Sequence, residues 1–125
     1  MKKPPFIATG AILAFLAVAF GAFGAHGLKQ VLNQEMLVIF HTAVTYQTWH
    51  ALGLILIGIL FQLKPSSLLI KAGWAMLAGI ILFSGSLYVL SLSGIKILGM
   101  ITPIGGIAFL IAWALIAIYA IKQKL

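Results

Sequence analysis

Cysteine is absent from the 125 residues, acid is reduced to the single Glu35, and there is no arginine at all. Without cysteine there are no disulfides, no thiolate metal sites and no cysteine nucleophile. One carboxylate cannot supply paired acids for general acid–base hydrolysis, nor the buried carboxylates that proton-coupled pumps hold inside their spans. There is no glycine-rich phosphate loop, no nucleophile elbow and no HExxH spacing among His26, His41 and His50. A bis-histidine haem site from His26 and His50 is conceivable on ligand type, but no recognisable motif supports it. The chain therefore reads as a non-enzyme with no catalytic residue, no metal and no cofactor.

Charge of either sign is scarce as well. Only 7% of the residues are charged against 63% apolar, and mean hydropathy is +1.20. Such a composition cannot cover the surface of a water-soluble fold. Four apolar runs, at about 6–25, 42–61, 70–90 and 98–121, each approach the twenty residues that a helix needs to cross ~30 Å of hydrocarbon. The connecting segments are too short for a second domain. The expectation is all-α: residues 1–125 as a single membrane domain, a four-helix integral membrane bundle with a short interfacial amphipathic helix at about 28–39 between helices one and two. The first run has Lys2 and Lys3 ahead of it and small residues near Gly24 and Ala25, like a signal peptide; it is longer than a signal core and reads as a retained helix.

Lysine placement sets the expected orientation. Lys2, Lys3, Lys64, Lys71, Lys122 and Lys124 fall on one side of the spans, Lys29 and Lys96 on the other. Basic residues in short loops stay inside, so a cytoplasmic (inner) membrane location with both termini in the cytoplasm is predicted. The net charge of +7 then belongs to topology and anionic headgroups. Lysines dispersed among loops without arginine do not make a nucleic-acid surface.

The polar residues inside the spans cluster. Gly10, Ala14, Ala17, Gly21 and Gly24 draw a small-residue seam along helix one, suited to close helix packing. Helix two opens HTAVTYQTWHALG, with Thr42, Thr45, Tyr46, Trp49, His50 and Gly53 on one arc. Tyr46 and His50 are one turn apart, and His50 lies about 13 Å deeper than His41 at helical rise. Gln47 points off that arc. Helix three brings Ser84, Tyr88 and Ser91 to one face, with Ser86 turned away; helix four brings Thr102, Gly106, Phe109 and Trp113, with Pro103 tolerated in its first turns. Glu35 projects from the apolar side of the interfacial segment, either snorkelling to water or pairing with a histidine or Lys96. Helices one and three end where two and four begin, so these groups meet in the outer half of the membrane. The other half, from Leu54 to Leu60, Leu68 to Ile70 and Leu115 to Ile121, is an apolar plug.

The stretches GAFGAHGLK at 21–29, TYQTWHALGL at 45–54, FSGSLY at 83–88 and ITPIGG at 101–106 resemble, in this order, the signatures of the domain-of-unknown-function 423 family. That resemblance spans almost the whole chain. It implies a small four-helix inner-membrane protein without an established activity, and it carries over Gly24, His26, Gly27, Tyr46, Gln47, His50, Ser84, Gly85, Ser86, Tyr88, Pro103, Gly105 and Gly106. Glu35 and His41 lie outside its motifs.

Two functional expectations follow. In the first, an outer chamber rimmed by His26, Tyr46, His50, Ser84, Tyr88, Thr102 and Gly106 binds or transports an amphiphile such as a lipid or quinone headgroup, with aromatic walls for the apolar part and hydroxyl and imidazole groups for the polar end. In the second, the same groups are interhelical glue in an accessory subunit of a larger membrane complex or a homo-oligomer. A homodimer or trimer is expected, with Gln47 and Ser86 as contact residues. Membrane lipids are the expected surroundings and nucleic acid is not a partner.

Overall fold

A computed structural model describes residues 1–125. Four helices are long and apolar enough to cross a membrane: α1 (Phe6–Leu28), α2 (Gln34–Leu63), α3 (Ser67–Ser93) and α4 (Lys96–Gln123). There are no strands. With four passes, both termini lie at one end of the bundle, together with the α2–α3 connection; Lys29 and Lys96 lie at the other.

The expected interfacial helix at 28–39 is not formed as a separate element. Leu28 completes α1, residues 29–33 turn, and α2 begins at Gln34 and runs for 30 residues. The cause is a cap: the side chain of Asn33 accepts a hydrogen bond from the amide of Met36 at 2.9 Å, which starts a helix in the middle of the segment. Met36 and Phe40 then turn into the bundle rather than towards an interface. At 1.5 Å per residue α2 is about 45 Å long, so its first turns extend beyond ~30 Å of hydrocarbon. The other boundaries exceed the expected spans by a few residues, each for a local reason. Ser66 caps α3 by accepting from the amide of Leu68 at 3.2 Å, and Gly94 ends α3 with φ 75°, a left-handed turn that favours glycine.

α1 packs along α2, α4 packs along α3, and the α2–α3 pair joins the two halves. The glycines of the small-residue seam of α1, Gly10, Gly21 and Gly24, face α2: a Cβ at Gly10 would stand 2.8 Å from the carbonyl oxygen of Ala51, so the backbones touch there. α2 and α4 hardly meet through their backbones. Aromatic side chains occupy the space between them. Towards the terminal end the bundle is closed by Phe6, Leu54, Ile57, Phe61, Leu69, Met76 and Tyr119, the apolar plug expected from the sequence.

Three stretches depart from α geometry: a 3-10 turn at Lys96–Met100 that opens α4, and π-helical turns at Phe20–Gly24 in α1 and Ile80–Gly85 in α3. A π turn holds an extra residue, so faces counted at 100° per residue across it fall out of phase.

Candidate functional site

Gln47 sits at the centre of the polar interior. Its Nε2 donates to the carbonyl of Leu13 on α1 at 2.8 Å, and its Oε1 accepts from the hydroxyl of Tyr88 on α3 at 2.6 Å. Ser84 donates to the carbonyl of Ala43 at 2.8 Å, tying α3 to α2. Ser86 shares a hydrogen bond with Thr102 at 2.7 Å, tying α3 to α4, and also reaches the carbonyl of Phe83. No fully enclosed side-chain nitrogen or oxygen lacks a partner. In hydrocarbon, where an unpaired amide or hydroxyl has no water to turn to, these bonds hold the helices in register.

This corrects the expectation for Gln47 and Ser86. Both are buried within the protomer, with their hydrogen-bonding groups engaged inside it, and neither faces outward towards a second subunit. For Gln47, leaving the Tyr46–His50 arc means turning towards the α1–α3 side of α2, since α2 has neighbours on several sides. For Ser86, turning away from the Ser84 face means turning from α2 towards α4, since α3 has a neighbour on each side.

His50 and Tyr46 lie elsewhere. The Nδ1 of His50 donates to the carbonyl of Tyr46, one turn back on its own helix, at 2.6 Å; the carbonyl has no proton to give, which fixes the direction. The imidazole is therefore not tied to another helix by a hydrogen bond. It stacks on Phe109 of α4, ring centres 3.5 Å apart and 13° from parallel, with Trp113 edge-on at 5.9 Å. Tyr46 runs parallel to it at 6.0 Å and leans on Phe83 of α3 at 4.3 Å. A Cβ at Gly106 would come 3.9 Å from the Phe83 ring, so this residue leaves room at the groove's edge.

Beside this packing a groove of about 180 Å³, lined by Thr45, Tyr46 and Trp49 of α2, opens sideways. Tyr46 is 42% exposed, and Trp49 and Trp113 are exposed, while His50, packed against Phe109, is 4% exposed. The Tyr46 hydroxyl takes no partner from the chain. Neither does His50 Nε2, and because no fully enclosed polar atom is unpaired, this nitrogen is not fully enclosed. With Nδ1 carrying the proton in the neutral ring, Nε2 is a bare acceptor. His50 lies close to the midpoint of α2 between Gln34 and Leu63.

The seven residues expected to rim one chamber are thus dispersed. Tyr46 lines the groove, with His50 parallel to it and packed on Phe109 and with Gly106 beside Phe83; Ser84, Tyr88 and Thr102 are engaged in bonds between helices. His26 lies at the Lys29 end, in a notch of about 450 Å³ between α1 and the start of α2 that it shares with Lys29, Gln34 and His41. On the other side of α1 an apolar cleft of about 460 Å³ is lined by Phe20, Phe23, Gly24, Phe40, Tyr88 and Leu92. With the Tyr88 hydroxyl turned to Gln47, that cleft offers hydrocarbon alone. Phe83, Phe109 and Trp113 complete the groove's aromatic wall. Helical spacing placed Phe109 and Trp113 on one face of α4, but no signal within that helix says that the face meets His50.

A family model described as "Protein of unknown function (DUF423)" matches residues 20–106. The chain is 52% identical to the UPF0382 membrane protein YwdK of Bacillus subtilis over 118 residues, 94% of this chain and 96% of that protein. It is 47% identical to a UPF0382 membrane protein of Staphylococcus epidermidis and 46% identical to one of Staphylococcus saprophyticus, covering 94% of this chain in each case and 95% and 97% of theirs. No solved structure matches.

Proposed function

The chain belongs to the DUF423 family of membrane proteins, and from that premise we propose that it binds a membrane amphiphile with a ring-shaped polar end, of the quinone class, in the groove beside Tyr46 where α2 packs on α4. The observation that carries this reading is the pair of polar tips left without partners, Tyr46 Oη and His50 Nε2, in a wall of aromatic rings. Depth selects the chemical class. His50 is about 24 Å along α2 from its start, and even with the first turns of α2 outside the ~30 Å of hydrocarbon it lies well inside, where drawing a charged phospholipid headgroup is costly. A neutral ring bearing carbonyl or hydroxyl groups pays no such penalty. A ring hydroxyl would donate to His50 Nε2, a ring carbonyl would accept from Tyr46, and the ring would stack against Phe83 or Trp113. The six-to-two lysine division supports an inner-membrane setting with both termini cytoplasmic.

Extraction of the purified protein with organic solvent, followed by chromatography of the extract, tests this. The wild type should carry a quinone. His50→Phe keeps a ring against Phe109 and deletes both nitrogens, so the bound quinone should fall about tenfold or more, with stability changed by less than about 1 kcal/mol. An empty wild type, with His50→Phe and Tyr46→Phe destabilised in step, would make the two side chains structural and end the proposal.

The accessory or oligomeric reading draws on a different surface. Outward on α1, Ala11, Ala14 and Ala19 form a shallow trough flanked by Phe15 and Phe23, which are 72% and 79% exposed. Small residues beside large ones suit a second transmembrane helix, and a homodimer through α1 is the arrangement this favours. A monomeric mass in several mild detergents and in nanodiscs would exclude it.

A further inference from the structure

The notch at the Lys29 end is separate from the quinone groove and has a different chemistry. His26 on the last turn of α1, Lys29 just past its end, and His41 and Gln34, two turns apart on α2, line its approximately 450 Å³, with Leu37 and Val38 as its apolar side. None of the two imidazoles and the ammonium donates a hydrogen bond within the protein. The sole acid does not offset them: Glu35 is exposed and is not part of the lining. Lys96, the other lysine at this end, also lies outside the notch. Asn33 caps the amide of Met36, and the amides of Gln34 and Glu35 in the first turn of α2 have no acceptor within that helix.

We propose that this notch binds a phosphate-type anion. Lys29 supplies fixed positive charge, His26 and His41 supply ring N–H donors from opposite walls, and the amino end of α2 adds its partial positive charge. Leu37 and Val38 accommodate carbon attached to the phosphate. Lys29 stands at the end of the bundle that holds two of the eight lysines, and anion binding gives it a role that membrane topology does not. The same chemistry serves a lipid phosphodiester or free phosphate.

The test uses the full chain in maltoside micelles, which contain no phosphate, with ¹⁵N-labelled histidine followed by NMR. Inorganic phosphate is titrated in one arm and phosphatidylglycerol in the other, each against chloride at matched ionic strength. A saturable movement of the His26 and His41 signals, with His50 unmoved, is the expected result. Movement with phosphate alone identifies the free ion as the source; movement with phosphatidylglycerol alone identifies the lipid. Lys29→Gln, an exposed substitution, should weaken binding about tenfold in the active arm. No saturable movement in either arm, or one that Lys29→Gln leaves unchanged, overturns the proposal. Quinone binding is read at His50, so the two sites fail independently.

Discussion

Gln47 belongs to α2, donates to α1 and accepts from α3, so one amide joins three helices. Tyr88→Phe leaves its Oε1 without a donor inside the bundle, and the expected loss is about 1–2 kcal/mol, since intramembrane hydrogen bonds are worth less than their isolated strength suggests. Gln47→Leu should cost a similar amount. The double substitution should cost clearly less than the two together, because it leaves no tyrosine hydroxyl facing an apolar group. Unfolding in mixed micelles with rising dodecyl sulfate would measure all three, and strict additivity would show that the bond contributes nothing to stability. At this scale the sequence was readable where the relation was local. Tyr46 and His50 share a helix at a spacing of four, and they do lie together. Gln47 and Ser86 were misplaced because their partners lie on other helices. His26 was grouped with Tyr46 and His50 because all these polar groups were assigned to the same half of the membrane, while in the fold it lies in the notch beside Lys29 and His41.

Helices were legible because the hydrocarbon thickness imposes their length, whatever the side chains do in detail. Their ends were less so. Asn33 outweighed the amphipathic pattern around it, as a capped first turn satisfies amides that an interfacial helix would have to satisfy some other way. The π turns left no trace in hydropathy. Glycine separates two kinds of element contact. A Cβ at Gly105 would lie 2.8 Å from the backbone of Leu82 and Phe83, where nothing flexible can move aside, so Gly105→Ala should push α4 from α3 and cost about 1–3 kcal/mol. Gly27 has open space around its Cβ position, and Gly27→Ala should lie within about 0.5 kcal/mol of the wild type. Equal thermal midpoints for the two variants would mean that the α3–α4 contact is looser than its geometry.

At the scale of the molecule, the two candidate sites depend differently on orientation. The groove near the midpoint of α2 is reachable from the lipid whichever way the bundle faces, whereas the notch meets the water on one side only. The absence of cysteine makes this measurable without a prior cysteine-free background. A single cysteine replacing Lys29 or Lys96 should react with an impermeant maleimide in intact spheroplasts, and one replacing Lys122 should react only after the membrane is opened. The expectation rests on six lysines against two, a bias that short loops follow closely. The reverse labelling pattern would leave the groove at Tyr46 unaffected but turn the notch to the cytoplasm, where anionic lipid and soluble phosphate esters would both compete for Lys29. Labelling therefore decides which compartment supplies the anion, and the phosphate titration decides whether one binds.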